Sequence, residues 1–81
     1  MNKELMKKLE EIKIESFPVL SGEIGLKPKD HPIWLYKAFD TKTNRYLAVV
    51  VDTPNRPDKK TEEMIYTHIA FAFKRMEKEN Q

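Results

Sequence analysis

An α+β fold in the order α-β-β-β-α is predicted for this 81-residue chain by three features: apolar residues at helical spacing near each end, a pair of aromatic and β-branched segments between them, and turn formers at the joints. The length suits one domain covering residues 1–81, and a chain this short buries only roughly 60–65% of the surface its unfolded form exposes.

Residues 3–14 read as an amphipathic helix, with Leu5, Met6, Leu9 and Ile12 on one side and Glu4 placed to support Lys8 one turn on. Pro18 limits how far that helix can run. A third strand is expected near residues 19–26, beside the turn that Gly22 and Gly25 favour. Pro28 and Pro32 then bracket an extended loop.

The hairpin over residues 33–51 carries the strongest local signal: Ile33-Trp-Leu-Tyr-Lys-Ala-Phe39, then the turn former Asp40-Thr-Lys-Thr-Asn44, then Arg45-Tyr-Leu-Ala-Val-Val-Val51. Asn44 tolerates the left-handed conformation that closes a loop, so Thr41–Asn44 becomes the connection and Asp40 faces Arg45. Counting back pairs Phe39 with Tyr46, Tyr36 with Val49 and Trp34 with Val51. One face then carries Trp34, Tyr36, Ala38, Leu47, Val49 and Val51, and is the expected core. The other carries Leu35, Lys37, Phe39, Tyr46, Ala48 and Val50, which leaves the sheet apolar on both sides.

A C-terminal helix is expected over about residues 61–77, capped by Asp58 or Thr61. Its stripe is Met64, Ile65, Ile69, Ala72, Phe73 and Met76. Tyr66, Ala70 and Phe71 widen it beyond the usual arc of a surface helix.

The net charge of +2 is unevenly spread: residues 1–26 carry −1, residues 27–60 carry +4 and residues 61–81 carry −1. The excess cations therefore belong to the hairpin and the loop after it. The chain has no cysteine, which removes disulfides and thiolate zinc sites. Its start lacks the apolar run of a secretion signal and no stretch is long enough to span a bilayer, so a cytoplasmic protein is expected, without membrane association.

Nothing in the sequence assembles a catalytic or metal site, and neither enzyme activity nor a cofactor is predicted. His31 and His68 have no partner at ligand spacing. Gly22-Glu-Ile-Gly25 has the spacing of a phosphate-clamping loop but a carboxylate inside it, and reads as a turn. Pro57-Asp58 and Glu11-Ile-Lys13 hold fragments of a metal-nuclease pattern in the wrong chain order. Ser16 and Ser21 have neither a neighbouring base nor a glycine elbow.

What remains is surface. Lys37, Lys42 and Arg45 cluster around Phe39 and Tyr46, while Arg56, Lys59 and Lys60 lead into the second helix. These eight residues are the candidate partner contacts. Basic groups among aromatics can neutralise phosphates and stack bases. A stabilising Phe39–Tyr46 pair with solvated lysines around it is the plainer alternative. The layout resembles the double-stranded-RNA-binding domain, with Lys59 and Lys60 at the start of the second helix. That resemblance implies a sheet backed by two helices and lysines that meet phosphates. The chain departs from it in Thr53-Pro-Asn-Arg-Pro57, where that family carries glycines, and in Glu62 and Glu63. Layout alone does not transfer function. The expected function is a small regulatory or inhibitory module that docks on a protein partner or on itself, with nucleic-acid binding as the alternative. Surplus apolar surface predicts a homodimer through Tyr66, Ala70 and Phe73 or through Phe39 and Tyr46.

Overall fold

Ile12 fits both the helical stripe of Leu5 and Leu9 and the alternation of Glu11-Ile-Lys-Ile-Glu15, and the choice between them organises the N-terminal third of the protein. The computed structural model describes residues 3–79. In it helix α1 covers only Lys3–Glu10, and strand β1 follows at Ile12–Val19. The helix expected over residues 3–14 therefore stops four residues early. Ile12 continues the Leu5–Leu9 stripe of a helix, but Ile14 falls on the opposite side of one, whereas in a strand the two isoleucines share a face, and β-branched residues alternating with charge fit a pleated strand better than a helix. Pairing with the hairpin supplies ladder hydrogen bonds that a longer helix would forgo.

The third strand is present, but at Ile12–Val19 and not near residues 19–26. Leu20 onward forms a short 3-10 turn over Ser21–Ile24, closed by Gly25 at φ 82°. That left-handed conformation suits glycine and ends the extended run. Ser21 is buried and its Oγ donates to the Lys27 carbonyl at 2.9 Å, tying the loop back on itself.

Strands β2 (Ile33–Asp40) and β3 (Arg45–Val51) form the hairpin in the register read from the turn, with Asp40 opposite Arg45, Phe39 opposite Tyr46 and Trp34 opposite Val51. Asn44 takes φ 64°, and its N–H donates to the Asp40 carbonyl at 2.8 Å. Strand β1 pairs antiparallel with the other side of β2, placing Ile12 opposite Asp40 and Pro18 opposite Trp34. The sheet order is β1-β2-β3. Proline lacks an N–H, and β1 is an edge strand, where that loss is tolerated.

Helix α2 (Lys59–Glu79) is capped by Asp58, whose carboxylate accepts the Thr61 N–H at 2.8 Å. Those hydrogen bonds from the Thr61 side chain and backbone hold the Asp58 carboxyl below its ordinary pKa. Ile65, Ile69, Ala70 and Phe73 are the buried residues of the helix. They meet Ile12, Tyr36 and Ala38, with Leu9, Ile14, Leu47, Val49 and Val51 around them. Met64, expected on that stripe, is 66% exposed, as the true contact arc is narrower than the spread of apolar residues. Both helices lie on the same side of the sheet.

Lys8 joins the two helices to the sheet. Its ammonium donates to Asp40 Oδ2 at 2.9 Å, to Glu77 Oε1, and to Glu11 Oε2 at 3.4 Å. Both the Lys8 and Asp40 side chains are buried, and Asp40 also accepts from the Lys42 N–H and the Thr43 hydroxyl. The one-turn pair expected between Glu4 and Lys8 gives way to this arrangement, and Glu4 faces Lys74 at 3.6 Å instead. Burial alone disfavours the ammonium of Lys8, but its hydrogen bonds to Glu77 and Asp40 outweigh burial and raise its pKa. Burial likewise opposes ionisation of Asp40, and the bonds from Lys8, Thr43 and the Lys42 N–H overcome it and depress the carboxyl. Glu77 is depressed by its bond from Lys8.

Replacing Lys8 by methionine leaves Asp40 buried without its counter-charge, so Lys8→Met should cost about 3 kcal/mol in urea denaturation. A cost below about 1 kcal/mol would show that the cluster contributes little. Depressed carboxyls stabilise fully above their unfolded pKa of about 4, and that stability drains away as pH falls through the lower folded values. The raised Lys8 keeps its share until alkaline pH, where it is lost as pH rises through the folded pKa. Stability of the wild type should therefore fall below about pH 4, and the Lys8→Met protein should show a flatter acid limb.

Candidate functional site

With both helices on one side, the opposite face of the sheet lies open. Alternation along the three strands sends Lys13, Glu15, Phe17 and Val19 from β1, Ile33, Leu35, Lys37 and Phe39 from β2, and Tyr46, Ala48 and Val50 from β3 to that face, which is closed at its Val19–Ile33 end, where Ile33 is 1% exposed. Beyond that end the register arranges the rest in three rows running across the strands: Lys13–Phe39–Tyr46, Glu15–Lys37–Ala48, and Phe17–Leu35–Val50. Two apolar rows thus flank a charged one. Tyr46 is 65% exposed and Val50 41%. The rings of Phe39 and Tyr46 stack with centroids 4.6 Å apart and planes tilted by 33°. Two shallow grooves share Lys37 and Tyr46, one running on to Lys13 and Phe39 and the other to Phe17 and Leu35.

Of the eight candidate contacts, only Lys37, Phe39 and Tyr46 meet on this face. Arg45 stands opposite Asp40, on the helix side of the ladder. Lys42 sits in the hairpin turn, 3.8 Å from Glu77. Arg56 is bound to Glu62 at 3.1 Å and lies over the Trp34 ring, 5.8 Å from its centroid. Lys59 and Lys60 are exposed in the first turn of α2. The cations of residues 27–60 therefore divide between the turn end and the opposite end of the sheet.

The expected dimer contact on the second helix is corrected. Ala70 and Phe73 are 0% exposed within the chain, and Tyr66 packs edge-on against Tyr36 at 6.2 Å. Part of the apolar arc of the helix meets the sheet and α1, and Met64 and Phe71 of that arc stay exposed. Lys13, Glu15 and Phe17 belong to the open face but escape a reading that puts residues 3–14 in a helix. The alternation of Ile12 and Ile14 with Lys13 and Glu15 is the signal that finds them.

Other polar groups serve the fold. Tyr36 donates its hydroxyl to Glu62 Oε2 at 2.8 Å, and burial followed by that bond pushes its phenol well above the ordinary value. Trp34 is half-buried, with its Nε1 enclosed and unpartnered among the described residues. His31 lies 2.9 Å from the Pro32 carbonyl, and His68 is exposed beside Met64 and Phe71 on a groove along α2. Asp58 caps one end of α2, whereas Glu11 accompanies Lys8 near the other, so the fragments of a nuclease pattern share no site. Among the described residues no group of three or more His, Asp or Glu side chains could hold a metal ion, and no helix is long and apolar enough to cross a membrane.

Fold and surface together define a small α+β protein whose helices cover one sheet face and leave an aromatic and aliphatic one exposed. No protein-family model, curated protein or solved structure matches this chain.

The two tyrosines of the hairpin should respond differently to truncation. Tyr46→Ser should cost less than about 1 kcal/mol, the size of an exposed aromatic pair. Tyr36→Ala should cost about 3–5 kcal/mol, as loss of a buried aromatic does. Equal losses in chemical denaturation would mean that Tyr46 is covered in the folded chain.

Proposed function

We propose that this chain is a non-enzymatic docking protein, of the regulatory or inhibitory kind, which contacts a protein partner through the open face of its sheet. The observation that carries this reading is the pair of cross-strand groups Phe39–Tyr46 and Phe17–Leu35–Val50 on the sheet face away from both helices, where Tyr46 is 65% and Val50 41% exposed and Phe17, Leu35 and Phe39 are half-buried. A rigid exposed aromatic pair and a cross-strand apolar row on one surface are features that protein contact sites use. Strands hold these side chains in fixed order, so little conformational entropy is lost when a partner covers them.

A protein partner is favoured over nucleic acid by the charges. Glu15 stands beside Lys37 in the middle of the face, where a phosphate chain would have to cross it. Lys42 and Arg56, which a basic track would need, are instead held by Glu77 and Glu62. An enzymatic role draws no support from the titratable side chains, because the clusters around Lys8 and Tyr36 hold elements together.

Capture from a lysate of the source organism, after nuclease treatment, tests the reading when wild type and two variants are run together. A bound protein should be retained by wild type and by the Lys59→Ala, Lys60→Ala double variant, and lost with Tyr46→Glu. Retention by Tyr46→Glu, or loss of all bound material on nuclease treatment, would refute docking through this face. For a nucleic-acid binder, the lysine double variant should instead reduce the salt slope of binding by up to roughly two units.

A further inference from the structure

We propose that two copies of this chain join edge to edge through strand β3, pairing antiparallel about a twofold axis at Ala48 to make one continuous sheet. The inference concerns the rim of the sheet and leaves its outer face free for the partner proposed above. The sheet ends at β3, and among the described residues nothing pairs with the outward edge of that strand. An edge strand turns the N–H and C=O of alternate residues away from its sheet, and another extended backbone is what satisfies such a row in full.

The two edges of the sheet differ in how they are guarded. Strand β1 carries exposed Lys13, Glu15 and Pro18, two charges and a missing donor that discourage a further strand. After Arg45, β3 runs Tyr-Leu-Ala-Val-Val-Val51 with no charge, proline, glycine or break in register. It is also incompletely covered on both of its faces. Tyr46 and Val50 are exposed on the outer side, and Leu47, Val49 and Val51 are only partly buried on the helix side. A strand laid alongside covers both sets at once, which a molecule seated on one face does not.

Self-fit selects a second copy as that strand. Antiparallel pairing sets each residue against one of the same face, and the register centred on Ala48 uses all seven residues of β3. Ala48 then meets Ala48, Tyr46 meets Val50 and Leu47 meets Val49, so a small residue lies at the axis with an aromatic and β-branched pair on each side of it. Charge agrees at the ends. Arg45, which is exposed, falls opposite Val51 of the other copy, and the next residue there is Asp52, whose side chain is 58% exposed beside Lys29. The two Arg45 side chains lie at opposite ends of the pairing, each approaching a carboxylate. An interface one strand wide is below the standard size, which fits a dissociation constant of about 10–500 μM.

Sedimentation velocity across about that range of concentration tests the pairing on wild type, Ala48→Lys, Ala48→Glu and an equimolar mixture of the two variants, with circular dichroism melts confirming that each is folded. Wild type should pass from monomer to dimer. Either variant alone sets two like charges directly opposite at the axis and should weaken association at least about tenfold. The mixture sets Lys against Glu and should dimerise more tightly than either variant alone. Because the chain has no cysteine, Ala48→Cys gives a second readout. Directly opposite residues of an antiparallel pair have Cα atoms about 4.5–5.5 Å apart, within the span of a disulfide, so Ala48→Cys should oxidise to a linked dimer at least about tenfold faster than Glu15→Cys on β1. A wild type that stays monomeric, charged variants that dimerise as wild type does, a mixture no tighter than its components, or equal oxidation of the two cysteine variants would each overturn the pairing. So would a monomeric wild type whose capture of a different protein is lost with Ala48→Lys, since the edge would then take an extended segment of that protein.

Discussion

Lys8 carries its ammonium under the helix layer and meets carboxylates from three other parts of the fold: Glu11 after α1, Asp40 at the end of β2, and Glu77 near the end of α2. Each partner would be a liability without the others, because an unpaired charge in that position has lost its water with nothing in exchange. Asp40 also orders the hairpin turn through the Lys42 N–H and the Thr43 hydroxyl. One side chain therefore ties together the first helix, the end of β2 with its turn, and the last helix. A helix of eight residues is too short to persist alone, and α1 is held by this cluster and by the burial of Leu5.

The position of α1 decides the exposure of the sheet. Anchored beside the C-terminal part of α2, it completes the inner layer on the helix side of the sheet. The same packing buries Ala70 and Phe73 of α2 inside the chain, while Met64 and Phe71 stay exposed. Exposed apolar surface remains at Met6, Met64 and Phe71 on the helices, at Leu20, Ile24 and Leu26 after β1, and at Tyr46 and Val50 on the outer face of the sheet. Rows of fixed side chains there can meet a partner with little reordering, which connects the inner ion cluster to the outer binding surface through simple exclusion of alternatives.

Charge is redistributed by folding as well. The positive middle segment looks in sequence like a basic stripe. Folding sends Lys42 toward Glu77, Arg56 to Glu62 and Lys29 to Asp52. These pairs are mostly exposed and individually weak. Their effect is on the surface potential, because they spread neighbouring cations to opposite ends of the molecule and balance each locally.

The hairpin was legible residue by residue. Turn chemistry at Asp40 and Asn44 sets the register, and the register assigns every side chain of β2 and β3 to a face, since both signals are local and a slip of one residue would invert the faces. The cap and extent of α2 were legible for the same reason. Residues 11–19 were not, because Ile12 also continues the stripe of the preceding helix, and the ladder with β2 is what ends that helix at Glu10. Half of the open face was consequently visible in sequence, as Leu35, Lys37, Phe39, Tyr46, Ala48 and Val50, while Lys13, Glu15 and Phe17 joined it once β1 was placed. The sequence by itself determined which residues share a strand face and that both faces of the hairpin are apolar. Which face the helices cover, and that Lys8 turns inward to hold them there, was decided by tertiary structure, because burying one ammonium among carboxylates from distant parts of the chain depends on contacts that no local pattern encodes.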